Sequence, residues 1–297
     1  MNLTTLKIFR DLVETRSFSK SAARNSVTQS AVSQQVSGLE RSLKCLLVER
    51  GKKAFSLTPE GQRFYEGCRV ITESFDGLMA ELQEMSARVT GSVRVSTVYS
   101  IGLHELPPFI KHYLRQFPLV NVHVEYRRAN QVYDDVLEND ADIGLVAFPE
   151  KKPHLEVMPF RRDRLVLICH PRHRLGNFKA MPIRQVMGHK FVGFDPDIPT
   201  RKALDKIFKK HKITVEQVME FDNIETLKRA VEIDMGVSMV PLSTLTQEIR
   251  SETLKTVDFT DEEIFRPLGI IHRKGRVFSP ALKAFLDVLS REPKVEA

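Results

Sequence analysis

Between Pro59 and Val89 the apolar residues Phe64, Cys68, Ile71, Phe75, Leu78, Leu82, Met85 and Val89 recur at alternating spacings of four and three. This 3.5-residue repeat, with Glu73, Asp76, Glu81 and Glu84 off the seam, predicts one long helix over 59–89. A stripe that regular buries itself against a partner helix, because helices packed on their own domain drift toward a 3.6 period. Phe64, Ile71, Phe75, Leu78, Leu82 and Met85 are the expected dimerisation seats. Shorter periods precede it. Leu3, Leu6, Phe9, Leu12 and Val13 mark an amphipathic first helix, and a second begins near Ser19, packing through Phe18, Ala22 and Ala23. Asn25-Ser26-Val27 makes a turn, and Thr28 caps a third helix. There Val32, Val36, Leu39 and Leu43 share one face, opposite Ser30, Gln34, Ser37 and Arg41, with Gln29 and Ser33 near its start. Leu46 to Pro59 reads as two short strands joined by a Gly51-Lys52-Lys53 tip.

From Thr90-Gly91 the pattern changes to alternating strands and helices. Strands are predicted at 92–98, 120–126 and 143–147, with helices through Leu103–Tyr113 and Gln131–Asn139 between them. This order implies a mostly parallel sheet covered by helices. A second series has strands at 164–169, 190–194, 218–221 and 237–240, with helices over 201–211 and 224–233. A strand at 267–272 and a last helix over 280–290 return the chain to the first unit. Two α/β units joined by crossing strands enclose a cleft, as in periplasmic-type binding proteins.

The third helix presents uncharged hydrogen-bonding groups where a core would tolerate none. Such a face suits base edges and phosphates in a DNA major groove, and a basic hairpin beside it is placed to contact backbone phosphate. Gln29, Ser30, Ser33 and Gln34 are the expected base-facing residues, with Ser37, Arg50, Lys52 and Lys53 mostly holding phosphates and the cap residue Thr28 completing the DNA-binding set. Residues 1–60 contain ten Lys/Arg against five Asp/Glu, an excess that attracts phosphate.

The runs Ser-Phe-Ser-Lys-Ser-Ala-Ala, Thr-Gln-Ser-Ala-Val-Ser-Gln-Gln-Val, Leu-Glu and Leu-Thr-Pro-Glu-Gly within residues 17–61 resemble, in order and spacing, the DNA-binding domain of LysR-type transcriptional regulators. The resemblance extends over almost the whole chain. One departure is Ser30, where the family often has proline. The resemblance implies an α/β multidomain protein: a winged helix-turn-helix at 1–58, a linker and dimerisation helix at 59–89, and a two-lobed effector-binding domain at 90–297. Lobe I would comprise about 90–161 and 266–297, and lobe II about 162–265. It further implies double-stranded promoter DNA, RNA polymerase and a small-molecule effector as partners, and a homodimer through the linker helix assembling into a homotetramer.

Ligands in such folds bind where helices begin beyond strand ends, and free N–H groups there favour anions. Ser100 and Thr200 start helices in the two units, and both fall at family ligand positions. Asn130, Phe148 and Arg201 are further candidates, giving an expected co-inducer of anionic character and no cofactor. Asp222-Asn223-Ile224-Glu225 reads as a structural cap. An enzyme would need a nucleophile with its base, paired carboxylates or a metal cluster; the nine histidines are scattered and no glycine-rich phosphate loop appears. The three cysteines have no metal-ligand spacing and read as reduced structural thiols. No apolar run approaches 18 residues and Met1 opens no signal-peptide pattern, so a soluble cytoplasmic protein without membrane contact is expected.

Overall fold

The computed structural model describes residues 2–49, 55–85 (side chains to Met79) and 89–291. These form two compact units, one of 1–89 with 275–280, the other of 90–274 with 281–297. In the first unit α1 (Leu3–Thr15), α2 (Phe18–Arg24) and α3 (Gln29–Leu43) each start at a polar cap. Asn2, Ser17 and Thr28 accept from the amides of Thr5, Lys20 and Ala31, satisfying N–H groups the helices leave free. Ser26, in the turn, is left-handed at φ 52°. The apolar faces meet in a core of Ile8, Phe9, Leu12, Val32, Val36, Leu39 and Leu47. Leu43, expected on that face, is exposed at the end of α3, beside a left-handed Lys44 that ends the helix.

α4 spans Pro59–Met85. The wing strands before it meet antiparallel at Val48 and Leu57, with Glu49 N–H donating to Ser56 O at 2.9 Å. Thr58 Oγ1 accepts from the Gly61 amide at 2.9 Å and donates to Leu46 O at 2.6 Å, joining the start of α4 to the wing. Gly61 has no alternative here: a Cβ on it would stand 1.9 Å from Leu47 O.

The second unit runs β1 (Gly91–Thr97), α5 (Tyr99–His104), α6 (Pro107–Gln116), β2 (Val120–Tyr126), α7 (Ala129–Leu137), β3 (Ile143–Ala147), β4 (Leu155–Cys169), β5 (Ala180–Met181), β6 (Lys190–Phe194), α8 (Pro199–His211), β7 (Glu216–Phe221), α9 (Ile224–Glu232), β8 (Ser238–Pro241), α10 (Thr246–Arg250), β9 (Lys255–Phe259), β10 (Phe265–Arg273) and α11 (Pro280–Ser290). Parallel strands β2-β1-β3 continue through antiparallel β10 and β4. β4 then pairs antiparallel with β8 and β9, β5 joins β9, and β6 and β7 form a parallel pair tied to Val237 through Phe191. The long strand β4 therefore belongs to both lobes, pairing with β10 through Leu155–Arg164 and with β8 and β9 beyond, and the sheet is mixed rather than mostly parallel.

Alternate residues of β4 feed two cores. Leu165, Leu167 and Cys169 pack with Phe191, Leu204 and Phe208, while Val166 and Ile168 pack with Leu227, Val231 and Val240. A strand buried on both faces reads as an unbroken apolar run, which is why 164–169 was legible. The half from Leu155 to Asp163 was not, since Arg161, Arg162 and Asp163 interrupt the pattern. The helix expected through Leu103–Tyr113 is two helices, because Pro107 and Pro108 start a new one. β9 and α10 fall in stretches assigned no element.

Gly61→Ala should destabilise the full-length protein by about 1–3 kcal/mol, the usual cost of forcing an atom into filled space. Thermal melting checks this; an unchanged Tm would mean that the wing and α4 separate without cost.

Candidate functional site

On α3, Val32, Val36 and Leu39 are buried, whereas Gln29, Ser30, Ser33, Gln34 and Arg41 are exposed and Ser37 is half-buried. The helix thus turns a polar, largely uncharged surface outward. Thr28, also exposed, uses its hydroxyl as the cap and lies 2.9 Å from Ser30 Oγ. Arg50, Lys52 and Lys53 lie outside the described residues.

Buried polar groups hold this surface in place. Glu40, 6 % exposed on the inner side of α3, accepts from the amides of Leu47 and Val48 at 3.0 and 3.3 Å, fixing the start of the wing to α3. Asp11 accepts from Asn25 Nδ2 at 2.8 Å and from Arg10 Nε at 3.2 Å. Ser21 Oγ donates to Ile8 O at 3.0 Å, so α1 anchors both α2 and the turn.

The stripe on α4 divides. Phe64 packs edge-on against Phe9 with ring centroids 5.3 Å apart, and Cys68 is buried in the same core. Phe64, half-buried, is therefore an internal contact of its own domain. The apolar period is the same whether a helix packs on its own domain or on another copy, so spacing alone could not separate the two. Arg10 Nη1 donates to Thr72 Oγ1 at 3.1 Å and Lys7 pairs with Asp76 at 2.9 Å, extending the attachment of α1. Ile71, Phe75 and Leu78 remain exposed; the side chains of Leu82 and Met85 lie outside the described residues. Burial pushes the Cys68 and Cys169 thiols up to about 11, which suits unreactive structural cysteines.

Between the lobes of the second unit lies a cavity of about 60 Å³ whose wall includes Ser100, Arg127, Arg128, Phe194, Thr200, Asp222 and Arg266. Ser100 is in the first turn of α5 and Thr200 in that of α8. Neither acts as a side-chain cap, since Val98 and Ile198 occupy the cap positions without a side-chain bond. Ser100 Oγ instead accepts from Arg266 Nη1 at 2.9 Å. Arg266, on β10, is 3 % exposed and sits opposite Asp163 on β4 in the strand register. Its Nη2 donates to Asp163 Oδ2 at 3.0 Å, and Ser243 Oγ donates to the same oxygen at 2.8 Å. Arg266 and Asp163 had no signature in the sequence, being 103 positions apart and joined only by strand pairing.

Arg128, preceding α7, bonds to Asp195 across the cleft and also approaches Asp222 at 3.9 Å and Asp197 at 4.0 Å. A second bridge joins His104, at the end of α5, to Glu225 of α9 at 2.8 Å. Burial alone would raise the Glu225 carboxyl, but His104 and the buried Lys228 hold it below its ordinary pKa. The predicted cap is real as well: Asn223 Oδ1 accepts from the amides of Glu225 and Thr226, both at 3.1 Å.

Three candidates are not among the cavity-lining residues. Arg201 turns away to Asp205, Phe194 O and Glu220 at 2.9, 2.7 and 2.6 Å. Phe148 is left-handed at φ 51°, with its amide bonded to Pro267 O; Ala147 lines the wall in its place. Asn130 lies within the first turn of α7, but the cavity is lined by Arg127, Arg128 and Ala129 just before it. Among the described residues no group of His, Cys, Asp or Glu could hold a metal ion, and no helix is long and apolar enough to cross a membrane.

Comparison with known proteins agrees with this architecture. Residues 3–62 match the model "Bacterial regulatory helix-turn-helix protein, lysR family", and residues 86–294 match "LysR substrate binding domain". The chain is 25% identical over 272 residues to the HTH-type transcriptional regulator CysL of Bacillus subtilis, covering 92% of this chain and 91% of CysL. A full-length OxyR variant from Pseudomonas aeruginosa shares the fold with a TM-score of 0.75 at 21% identity, covering 97% of this chain and 94% of that one. The CcmR regulatory domain of Synechocystis PCC6803, solved in complex with 2-PG, matches at a TM-score of 0.64 and 23% identity, covering 70% of this chain and 99% of its own.

Proposed function

The chain belongs to the LysR family of transcriptional regulators, and on that premise we propose which of its residues read DNA, which join two copies and which receive the effector. It is a DNA-binding transcriptional regulator whose second domain takes a small-molecule effector. In our reading it acts in the cytoplasm without catalytic activity of its own, with promoter DNA and RNA polymerase as macromolecular partners. The carrying observation is the pairing of Ser100 and Thr200, helix starts from opposite lobes, on one cavity.

Gln29, Ser30, Ser33 and Gln34 face base edges, while Thr28, Ser37 and the basic wing tip hold phosphate. The exposed polar face of α3, set against an apolar inner face, supports this assignment. Ile71, Phe75 and Leu78 of α4 form the dimer seam, continued by Leu82 and Met85, and dimers assemble into tetramers. An exposed row of three large apolar side chains at helical spacing supports the seam. Effector bound between the lobes changes their closure and hence the disposition of paired DNA-binding domains.

Gln34→Ala should weaken binding to the specific operator by about 1–3 kcal/mol while sparing non-specific DNA; equal loss on any DNA, in fluorescence anisotropy, would remove Gln34 from base readout. Leu78→Asp should place an unpaired charge in the seam and shift light scattering to smaller species. A mutant that stays fully oligomeric rules out the seam. Thr200→Val should leave Tm and basal operator binding intact and right-shift the effector response by about two- to tenfold, as loss of one hydroxyl contact does. A lowered Tm with an unshifted response would instead make Thr200 purely structural.

A further inference from the structure

We propose that Arg266 anchors a single negative group of the effector and that the cleft selects compact monocarboxylates bearing neutral or cationic polar substituents. The proposal rests on the cleft being the effector site. Arg266 lines the cavity, and its guanidinium carries five N–H donors in a planar fork. Protein acceptors hold one donor on Ser100 and one on Asp163. Its Nε is buried with no acceptor among the described residues. Such a donor left unmet in a buried site is costly, and a carboxylate satisfies a guanidinium with two parallel bonds. Ser100 is the contact a ligand can replace, since it is neutral; Asp163 stays as the buried counter-charge.

The mouth excludes a second negative group. The two other cations on the wall are already met: Arg127 by Glu125 and Asp135, and Arg128 by Asp195, with Asp197 and Asp222 within 4.0 Å. A dianion reaching outward from Arg266 meets carboxylates there, whereas a hydroxyl or ammonium finds acceptors. Size sets the other limit: about 60 Å³ has room for about four to six water-sized groups. Asp163 lies on β4, the strand the lobes share, and holds both Arg266 and Ser243. A ligand on Arg266 therefore acts through Asp163 on the strand that joins the lobes.

The test uses the full-length protein in thermal-shift and calorimetric titrations with lactate, glycerate and alanine, against phosphoglycolate, inorganic phosphate and glycerol. At least one of the first three should raise Tm and bind more tightly than all of the second three. A preference for any of the second three, or no response to any of the six, overturns the ligand class. Because removing Arg266 alone would strand a buried carboxylate, the variant is Asp163→Asn with Arg266→Gln, its fold checked by its unliganded melt. It should lower affinity by about 10- to 100-fold, and the conservative Arg266→Lys should lose less. Thr200→Trp fills the cavity without touching the pair. Binding lost in Thr200→Trp but kept in the double variant overturns the anchor and leaves the cleft as the effector site; binding kept in both overturns the cleft itself.

Discussion

One strand, β4, runs through both lobes of the second domain, and a buried ion pair joins it to β10 near the crossing. Asp163 and Arg266 face each other across the ladder, and Arg266 forms part of the cavity wall. Charges taken out of water repay their desolvation only when their remaining hydrogen-bonding capacity is met. One lobe supplies Ser100 to the guanidinium and the other supplies Ser243 to the carboxylate. The pair is thus stable only while both lobes keep their places around it. Cavity wall, shared strand and inter-lobe hydrogen bonding meet in one arrangement of four side chains.

The first domain solves a different problem with similar means. A DNA-reading helix must show polar groups to solvent and still be held rigidly. Its rigidity comes from below, from carboxylates that bind backbone amides or side-chain amides of the next segment: Glu40 to the wing, Asp11 to the turn through Asn25. Gly61 lets α4 press against the same wing strand. None of these groups is on the exposed face, so the face itself stays free of structural duties except at Thr28.

What could be read from the sequence follows from range. Periodic patterns are local, so β2, β3, β6 and α11 were legible residue by residue, and so were the two faces of α3 apart from Leu43. Helix-start logic also led to Ser100 and Thr200, which both reach the cavity wall. At Asn130, Phe148 and Arg201 it did not lead to the cavity wall, because side-chain direction near a strand end depends on local twist and on competing acceptors. The carboxylates that hold Arg201 and the left-handed turn at Phe148 carry no periodic mark. Arg266 was invisible for a stronger reason: in Ile-Phe-Arg-Pro-Leu it looks like a polar strand edge, and only the antiparallel register makes it a buried cation. Phe64 shows the converse limit: its place in the apolar period carries no sign that it packs on Phe9 of its own domain.

The Arg128 bridge has a meaning for the ionic medium. Its guanidinium and the three aspartates near it are all partly solvated, so dissolved ions screen their attraction. Raising ionic strength therefore loosens this link between the lobes, while the same ions compete for DNA phosphates and weaken operator binding steeply. Salt thus acts on both domains, and the apparent potency of an effector becomes a property of the ionic medium as well as of the ligand.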